Sequence, residues 1–362
     1  MSFEIPKYTE PDFNKEVLKN APNCKLIACE KDGAAPEQYH ALSIYPEYFK
    51  IDGEWYIAHE TRMDCVGVFE NGKVEAKEFR NLKKGDLVVV GRTEDASEGI
   101  YVYVEGFSKN DSDGGELFAF RTGRSRETSF SKDYDELIEL LKYEKANDGH
   151  VVWVLGPAVS FDKGARDSVS WLVQNGYVNA LMAGNALATH DLEGGYLKTA
   201  LGVDIYSQEP YPMGHYNHLD LINVARKHGS IKALIENEKI TDGIIYSCEK
   251  AGVPYILAGS IRDDGPLPPV YGNVYEAQDV MRAQTRKATT LICLATQLHT
   301  IASGNMTPSY IDKDGVIRPV YIYAIDTSEF ILNKLRDRGT LEVVTMAVNA
   351  QDFVKTLVNG LS

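Results

Sequence analysis

The chain has 362 residues, 44% of them hydrophobic and 25% charged, which is the balance of a folded protein and excludes a disordered or fibrous one. Its length favours two domains over one core. Lys and Arg number 38 against 52 Asp and Glu, and the net charge of −14 argues against a nucleic-acid partner.

The first twenty residues carry no basic stretch followed by an apolar run, and no apolar segment reaches membrane-spanning length. A cytoplasmic protein with no membrane partner is expected. Cys24, Cys29, Cys65, Cys248 and Cys293 are scattered and odd in number, so neither a disulfide framework nor a structural metal is expected.

In chain order, CKLIAC, EWYIAHE, CVGVFENG, DLVVVG and GIYVYVEG read as short strands separated by turns such as Asp52-Gly53 and Asn71-Gly72. They predict a β-rich domain over residues 1–130. A polar, Gly-containing stretch with Arg121, Arg124 and Arg126 marks the junction; these arginines suit a bidentate carboxylate or phosphate, or a solvated linker. From about Asp133 the spacing of Leu137, Leu140 and Leu141 predicts a helix that ends near Gly149.

Over residues 131–362 the pattern alternates. VVWVLG, VNALMAG, PYILAGS, TTLICLAT, PVYIYAID and LEVVTMAV are continuous apolar runs, the signature of strands buried on both faces. Helical stretches such as ARDSVSWLVQNG, HLDLINVARKHG and EAQDVMRAQTRKA separate them. The fold class predicted is α/β: a mostly parallel sheet flanked by helices, with a smaller β-rich amino-terminal domain.

Ligands of such sheets collect beyond the carboxyl ends of the strands. The residues there are small or polar: Gly156, Pro157 and Ala158; Gly184, Asn185 and Ala186; Gly259 and Ser260 followed by Arg262, Asp263 and Asp264; then Thr296, His299 and Asn305; and Asp326. Small residues and free helix-start amides suit a nucleotide-sized anion. The GxGxxG fingerprint is absent from the first turn, so an ordinary dinucleotide motif is not the basis of this reading. Asp326 is placed either to hold ribose hydroxyls or to cap the helix after it. The pair Asp263 and Asp264 beside Arg262 suits amine binding or proton transfer, or a solvated ion pair. His190 and Asp191 open a helical stretch and are an acid–base pair or a helix-start pair. Asp64 either delivers a carboxylate to an interdomain cleft or lies in a surface turn. His215 and His218 have a spacing that metal ligation tolerates, without a third ligand; Cys293 reads as core.

The blocks GPAVSFDKGARDSVSWLVQNGYVNALMAGNALATHDLE, GVPYILAGSIRDDGPLPPVYGNVYEAQDVMRAQ and LATQLHTIASGNMTPS resemble the archaeal-type ornithine cyclodeaminase family, over roughly residues 150–362. The same region forms the carboxyl-terminal part of cyanobacterial arginine dihydrolase and ornithine cyclodeaminase fusions. Further back, DGEWYIAHETRMDC and LKKGDLVVVG are similar to the LOR/SDH region. The resemblance implies a deoxyhypusine-synthase-like NAD-binding fold and a reaction in which NAD+ takes hydride from ornithine, the imine cyclises with loss of ammonia, and the hydride returns to give proline.

It implies cofactor contacts at Gly156, Pro157, Ala158, Gly184, Asn185, Ala186, Gly259, Ser260, Asn305 and Asp326. Catalytic carboxylates are then drawn from Asp64, Asp191, Asp263 and Asp264, with NAD as cofactor, a small amino acid as substrate and a homo-oligomer as the assembly. A departure lies in ALSIYPEYFKIDGEW, where family members carry a Thr-Thr-Asn stretch. If the amino-terminal domain faces the substrate, another small amino acid or amine is the alternative substrate. No arginine dihydrolase region is present in the sequence, so arginine breakdown is not expected.

Overall fold

The computed structural model describes residues 3–107, 131–263, 265–328, 332 and 341–362. Arg121, Arg124, Arg126 and Asp264 lie outside the described residues.

A short helix α1 (Glu16–Lys19) precedes β1 (Lys25–Ala28), β2 (Glu47–Ile51), β3 (Glu54–His59), β4 (Cys65–Glu70), β5 (Lys73–Glu78), β6 (Leu87–Val90) and β7 (Ile100–Val102). They form one sheet in the order β1-β6-β4-β5-β3-β2-β7, antiparallel except where β3 meets β5. Sequence reading missed β2 and β5 because charges interrupt their apolar pattern. In β2 those charges are buried and satisfied: Glu47 pairs with His40 Nε2 at 2.7 Å and accepts from the Ser43 amide. Lys50 donates to the carbonyls of Lys19 and Ala21 at 2.9 Å each, closing the end of α1. In the divergent segment ALSIYPEYFK, residues 46–50 are thus committed to the inside of this domain.

The second domain opens with α2 (Ser131–Ala146), which buries Leu137, Leu140 and Leu141. Next come β8 (Val151–Leu155), α3 (Lys163–Gln174), β9 (Ala180–Gly184) and α4 (Asn185–Leu197), then a small hairpin, β10 (Thr199–Ala200) and β11 (Val203–Asp204). The chain continues through α5 (Asn217–His228), α6 (Ile231–Asn237), α7 (Ile244–Ala251), β12 (Tyr255–Ala258), α8 (Val274–Thr285), β13 (Thr290–Leu294) and α9 (Gln297–Met306). A second hairpin, β14 (Tyr310–Lys313) and β15 (Val316–Pro319), leads to β16 (Tyr321–Asp326), β17 (Glu342–Ala347) and α10 (Ala350–Leu361).

Six of these strands form a wholly parallel sheet in the order β12-β9-β8-β13-β16-β17, and they are the six apolar runs of the sequence. The absence of alternation has a direct cause. In β8, Val151, Trp153 and Leu155 enter one core with α2 to α7 and α10, while Val152 and Val154 enter another with α8 and α9. Both faces are buried, so every position is apolar. The order 3-2-1-4-5-6 is that of a Rossmann sheet, whose crevice lies beyond the carboxyl ends of the paired strands β8 and β13, where the chain connections lead off to opposite sides.

Glu144 on α2 binds Arg318 Nη2 at 2.7 Å and Thr290 Oγ1 at 2.8 Å, fastening the hairpin to the start of β13. Phe3 packs on Tyr143 and Tyr321, so the first described residue rests on the second domain. The β-rich domain docks along α8. Glu78 Oε1 lies between Arg62 Nη2 at 2.6 Å and Arg282 Nε at 2.7 Å, Arg286 pairs with Glu60, and Tyr310 donates to the Ala58 carbonyl at 2.6 Å.

Burial acts to raise the Glu78 carboxyl, but Arg62 and then Arg282 outweigh it and hold its pKa below the ordinary value of 4.5. A depressed folded value stabilises above the unfolded pKa and is lost as protons bind, so this clamp weakens as pH falls below 4.5. Glu78→Gln should lower the urea midpoint at pH 7 and flatten its acid decline. An acid decline as steep as the parent's would refute this.

Candidate active site

The carboxyl edge of the parallel sheet gathers the turn Pro157–Ser160 after β8, the start of α4 after β9, Gly259 to Asp263 after β12, the start of α9 after β13, and Asp326 ending β16. Nearly all the predicted cofactor residues therefore share one edge. Their local chemistry differs from residue to residue.

Gly156 is buried, and its amide donates to the Leu294 carbonyl at 2.8 Å. A Cβ there would overlap the Ala295 carbonyl oxygen, so this glycine exists to let β8 and β13 close on each other. Ala295 holds φ 50, a left-handed backbone at the mouth of the crevice. A Cβ on Gly184 would stand 3.1 Å from His299 Cε1, so the ring of His299 occupies the space that this glycine leaves. Asn185 Oδ1 accepts from the Leu267 amide at 2.9 Å and ties α4 to the loop after β12. Ala186 is exposed at the helix start, and the Ala158 carbonyl accepts from Gln351 on α10 at 2.9 Å.

The two helices that begin in the crevice, α4 and α9, have no side-chain cap and no acid in the first turn. By contrast α3, α6, α8 and α10 are capped by Asp162, Ser230, Asn273 and Asn349. Uncapped amide groups with positive dipole ends suit an anionic phosphate. Asp326 accepts from the Ser328 amide at 2.8 Å, and Asp263 from Ser260 at 2.8 Å. His299 is pushed by burial below the ordinary histidine value, against the pull of Asp263.

Three sequence expectations are corrected by position. Asn305 lies in the last turn of α9, next to Met306, whose carbonyl accepts from Thr285 at the end of α8. That is the amino edge of the sheet, away from the crevice. His190 and Asp191 lie inside α4 rather than at its start. Asp191 is fully buried: Oδ1 accepts from Arg166 Nε at 2.7 Å and the Ile244 amide at 2.9 Å, and Oδ2 from the Ile245 amide at 2.8 Å. Its carboxylate caps α7 and pairs with Arg166. Asp64 is exposed in the turn between β3 and β4 with φ 63. Hydrogen bonds between the β-rich and the α/β domain run along α8 and at Ser309 and Tyr310, away from the carboxyl edge.

The sequence reading missed Glu193 and gave His299 no role of its own. The signal for Glu193 was present: His190 and Glu193 stand three apart, the spacing of neighbours on a helix face. Among the described residues no helix is long and apolar enough to cross a membrane, and no three His, Cys, Asp or Glu side chains group as metal ligands.

A parallel sheet in Rossmann order, with uncapped helix starts gathered at its carboxyl edge and an added β-rich domain, defines a Rossmann-fold enzyme class. Residues 135–357 match the description "Arginine dihydrolase ArgZ-like, C-terminal, Rossmann fold", and residues 46–128 match "Arginine dihydrolase ArgZ-like, C-terminal, first region". The chain is 36% identical over 345 residues to ornithine cyclodeaminase of Methanocaldococcus jannaschii, covering 93% of this chain and 77% of that one. It is 34% identical over 337 residues to the bifunctional arginine dihydrolase/ornithine cyclodeaminase ArgZ of Synechocystis, covering 91% of this chain and 45% of that one. Among solved structures, a conserved LOR/SDH protein of Methanococcus maripaludis superposes with TM-score 0.84 at 32% identity, covering 94% of this chain and 98% of that one. AgrE in complex with ornithine and NAD+ gives TM-score 0.58 at 30% identity, covering 94% of this chain and 46% of that one. The chain belongs to the family of ArgZ-like carboxyl-terminal regions and archaeal ornithine cyclodeaminases.

Asp191→Asn should lower stability measurably, because it leaves Asp242 as the remaining carboxylate on the buried Arg166 and puts an amide group where an α7 N–H needs an acceptor. Urea unfolding at pH 7 measures it. A stable variant that has lost only activity would mean that Asp191 acts on substrate instead.

Proposed function

We propose that this chain is an NAD-dependent ornithine cyclodeaminase, an ammonia-lyase that converts ornithine to proline and ammonia. The observation that carries the reading is the pair of uncapped helix starts, α4 and α9, on either side of the β8–β13 crevice, in a chain 36% identical to an ornithine cyclodeaminase. NAD+ would supply the hydride acceptor that stores the substrate hydride and gives it back. The amides from Asn185 and Gln297 onward would hold its phosphates, with Pro157, Ala158, Gly259 and Ser260 lining the approach and Asp326 facing ribose hydroxyls. Gly156 and Gly184 shape the crevice by the side chains they lack, as the Ala295 carbonyl and the His299 ring at those positions indicate. Asp263 stands near enough to raise His299 and is the described carboxylate best placed to receive an ammonium group.

Denatured protein should release NAD, and native protein should form proline and ammonia from ornithine without added reductant. Ornithine deuterated at Cα should give proline that keeps the deuterium at Cα, because the same hydride returns. Label lost to solvent would overturn transient hydride storage; absence of both NAD and turnover would overturn the function.

A cytoplasmic, self-associating enzyme is part of this proposal. Leu201, Tyr206, Tyr211, Met213, Tyr216 and Leu219 are all exposed within one 19-residue stretch, an apolar patch suited to a second copy. Sedimentation velocity should find an oligomer that Tyr211→Glu with Met213→Glu dissociates, and a monomeric parent protein would refute it.

A further inference from the structure

The reaction proposed above moves protons on and off substrate nitrogens, and the carboxyl edge offers one acid–base group whose orientation is locked. His190 lies on α4, five residues beyond its first residue and about 7.5 Å along the helix axis at 1.5 Å per residue. Its Nδ1 is 2.9 Å from Glu193 Oε2. Glu193 is wholly buried and its carboxylate is saturated with donors. Oε2 also accepts from the Leu201 amide at 3.1 Å, and Oε1 accepts from Thr199 Oγ1 at 2.7 Å and the Gly202 amide at 3.2 Å. Asn217 Nδ2 donates in turn to Thr199 Oγ1 at 2.8 Å.

Nδ1 is engaged on two sides: it lies against Glu193 Oε2, and the Leu201 N–H is shared between that oxygen at 3.1 Å and Nδ1 at 3.2 Å. Nε2 is then the nitrogen left to exchange protons, and among the described residues it makes no hydrogen bond. The ring is held by Phe161, with centroids 5.4 Å apart, and by His218 at 6.0 Å. Phe161 directly follows the turn after β8, so the ring sits against the crevice-lining loops. His218 Nδ1 is buried in the same chamber without a partner.

The hairpin that serves Glu193 is built at a backbone cost. Leu201 and Gly202 form its two-residue turn with φ 53 and 74, the left-handed pair that Asn-Gly favours and Leu does not. Lys198 is left-handed as well, at φ 63. The strain aims the Leu201 and Gly202 amides at Glu193, as backbone strain at working sites does.

We propose that His190 is the acid–base residue of the cyclodeaminase reaction and that Glu193 is its positioning residue, an inference that rests on the ornithine reading. Nε2 takes one proton from a substrate ammonium group: the N–H bond breaks and its electron pair stays on the substrate nitrogen. The same proton is later given to the amine that departs. The side-chain ammonium loses one proton to attack the imine and the ring nitrogen a second as the amine leaves; the ammonia and the proline nitrogen each take one proton back from solvent. Ornithine as a cation thus becomes zwitterionic proline and ammonium with no net proton gained or lost.

His190→Asn is the discriminating variant, because its side-chain amide can take the place of Nδ1 between Glu193 and the Leu201 N–H while nothing replaces Nε2. Its urea midpoint and NAD content should match the parent protein, with kcat on ornithine down about 10²- to 10⁴-fold and KM little changed. Glu193→Gln should lower kcat by a smaller factor. Added imidazole should restore part of the turnover of His190→Ala, which a merely structural histidine would not allow. Parent turnover together with His190→Asn activity within a few-fold of it overturns this inference alone; a parent protein that forms no proline overturns it and the ornithine reading together. If His190→Asn does not fold, failure of imidazole to rescue soluble His190→Ala overturns it instead.

Discussion

The carboxyl edge depends on one buried guanidinium. Arg166, on α3 after β8, binds Asp191 of α4 after β9 and Asp242 just before α7, through Nε at 2.7 Å and Nη1 at 2.5 Å. Burial opposes its charge, and the two carboxylates outweigh that opposition and raise its pKa further. Asp191 carries the linkage on, because its two oxygens also cap α7, which leads into β12. Helices attached to three neighbouring strands are therefore keyed by one network. Gly243 caps α7 with φ 121, and a side chain there would meet Arg166, which leaves no room for any other residue. Such a network adds little to stability over an apolar core, yet losing one member leaves a buried group short of a partner. Its consequence is positional: the starts of α3, α4 and α7 cannot drift apart.

Electrostatics divides the helices into two sets. With a net charge of −14, the protein has acids to spare, and they cap α3 and α7 and pair with the arginines along α8. The first turns of α4 and α9 are kept free of them. An anionic ligand then meets amide dipoles without competing carboxylates at the contact. This answers the missing glycine fingerprint. The turn after β8 is filled by the approach of Ala295, and a short turn comes before α3, so the uncapped helix-start amides at this edge follow the second and fourth strands in chain order, not the first.

Much of this was legible in the sequence, and the limits have physical causes. Six apolar runs gave six parallel strands because burial on both faces leaves no polar position, a signal that needs no partner to interpret. β2 was not legible, since Glu47 and Lys50 break its pattern and are satisfied by His40 and by carbonyls of α1, contacts that exist only after folding. The same holds for Asp191. A carboxylate beside a histidine near a presumed ligand edge reads as chemistry, and only the third dimension brings Arg166 and the α7 amides to it. The position of Asn305 has a simpler cause: a helix boundary invisible in sequence carries it to the far end of α9.

The exchange of partners on α4 follows from helical geometry. Adjacent residues on a helix point about 100° apart, so Asp191 turns toward α7 while His190 turns toward the hairpin, and Glu193, three residues on, returns to the face of His190. One helix thus presents a buried latch on one side and a locked imidazole on the other. The latch holds α4 in place relative to α3 and α7, and the hairpin amides hold Glu193. The orientation of His190 is therefore set from both sides, by a salt-linked network below and a strained turn above, before any substrate arrives.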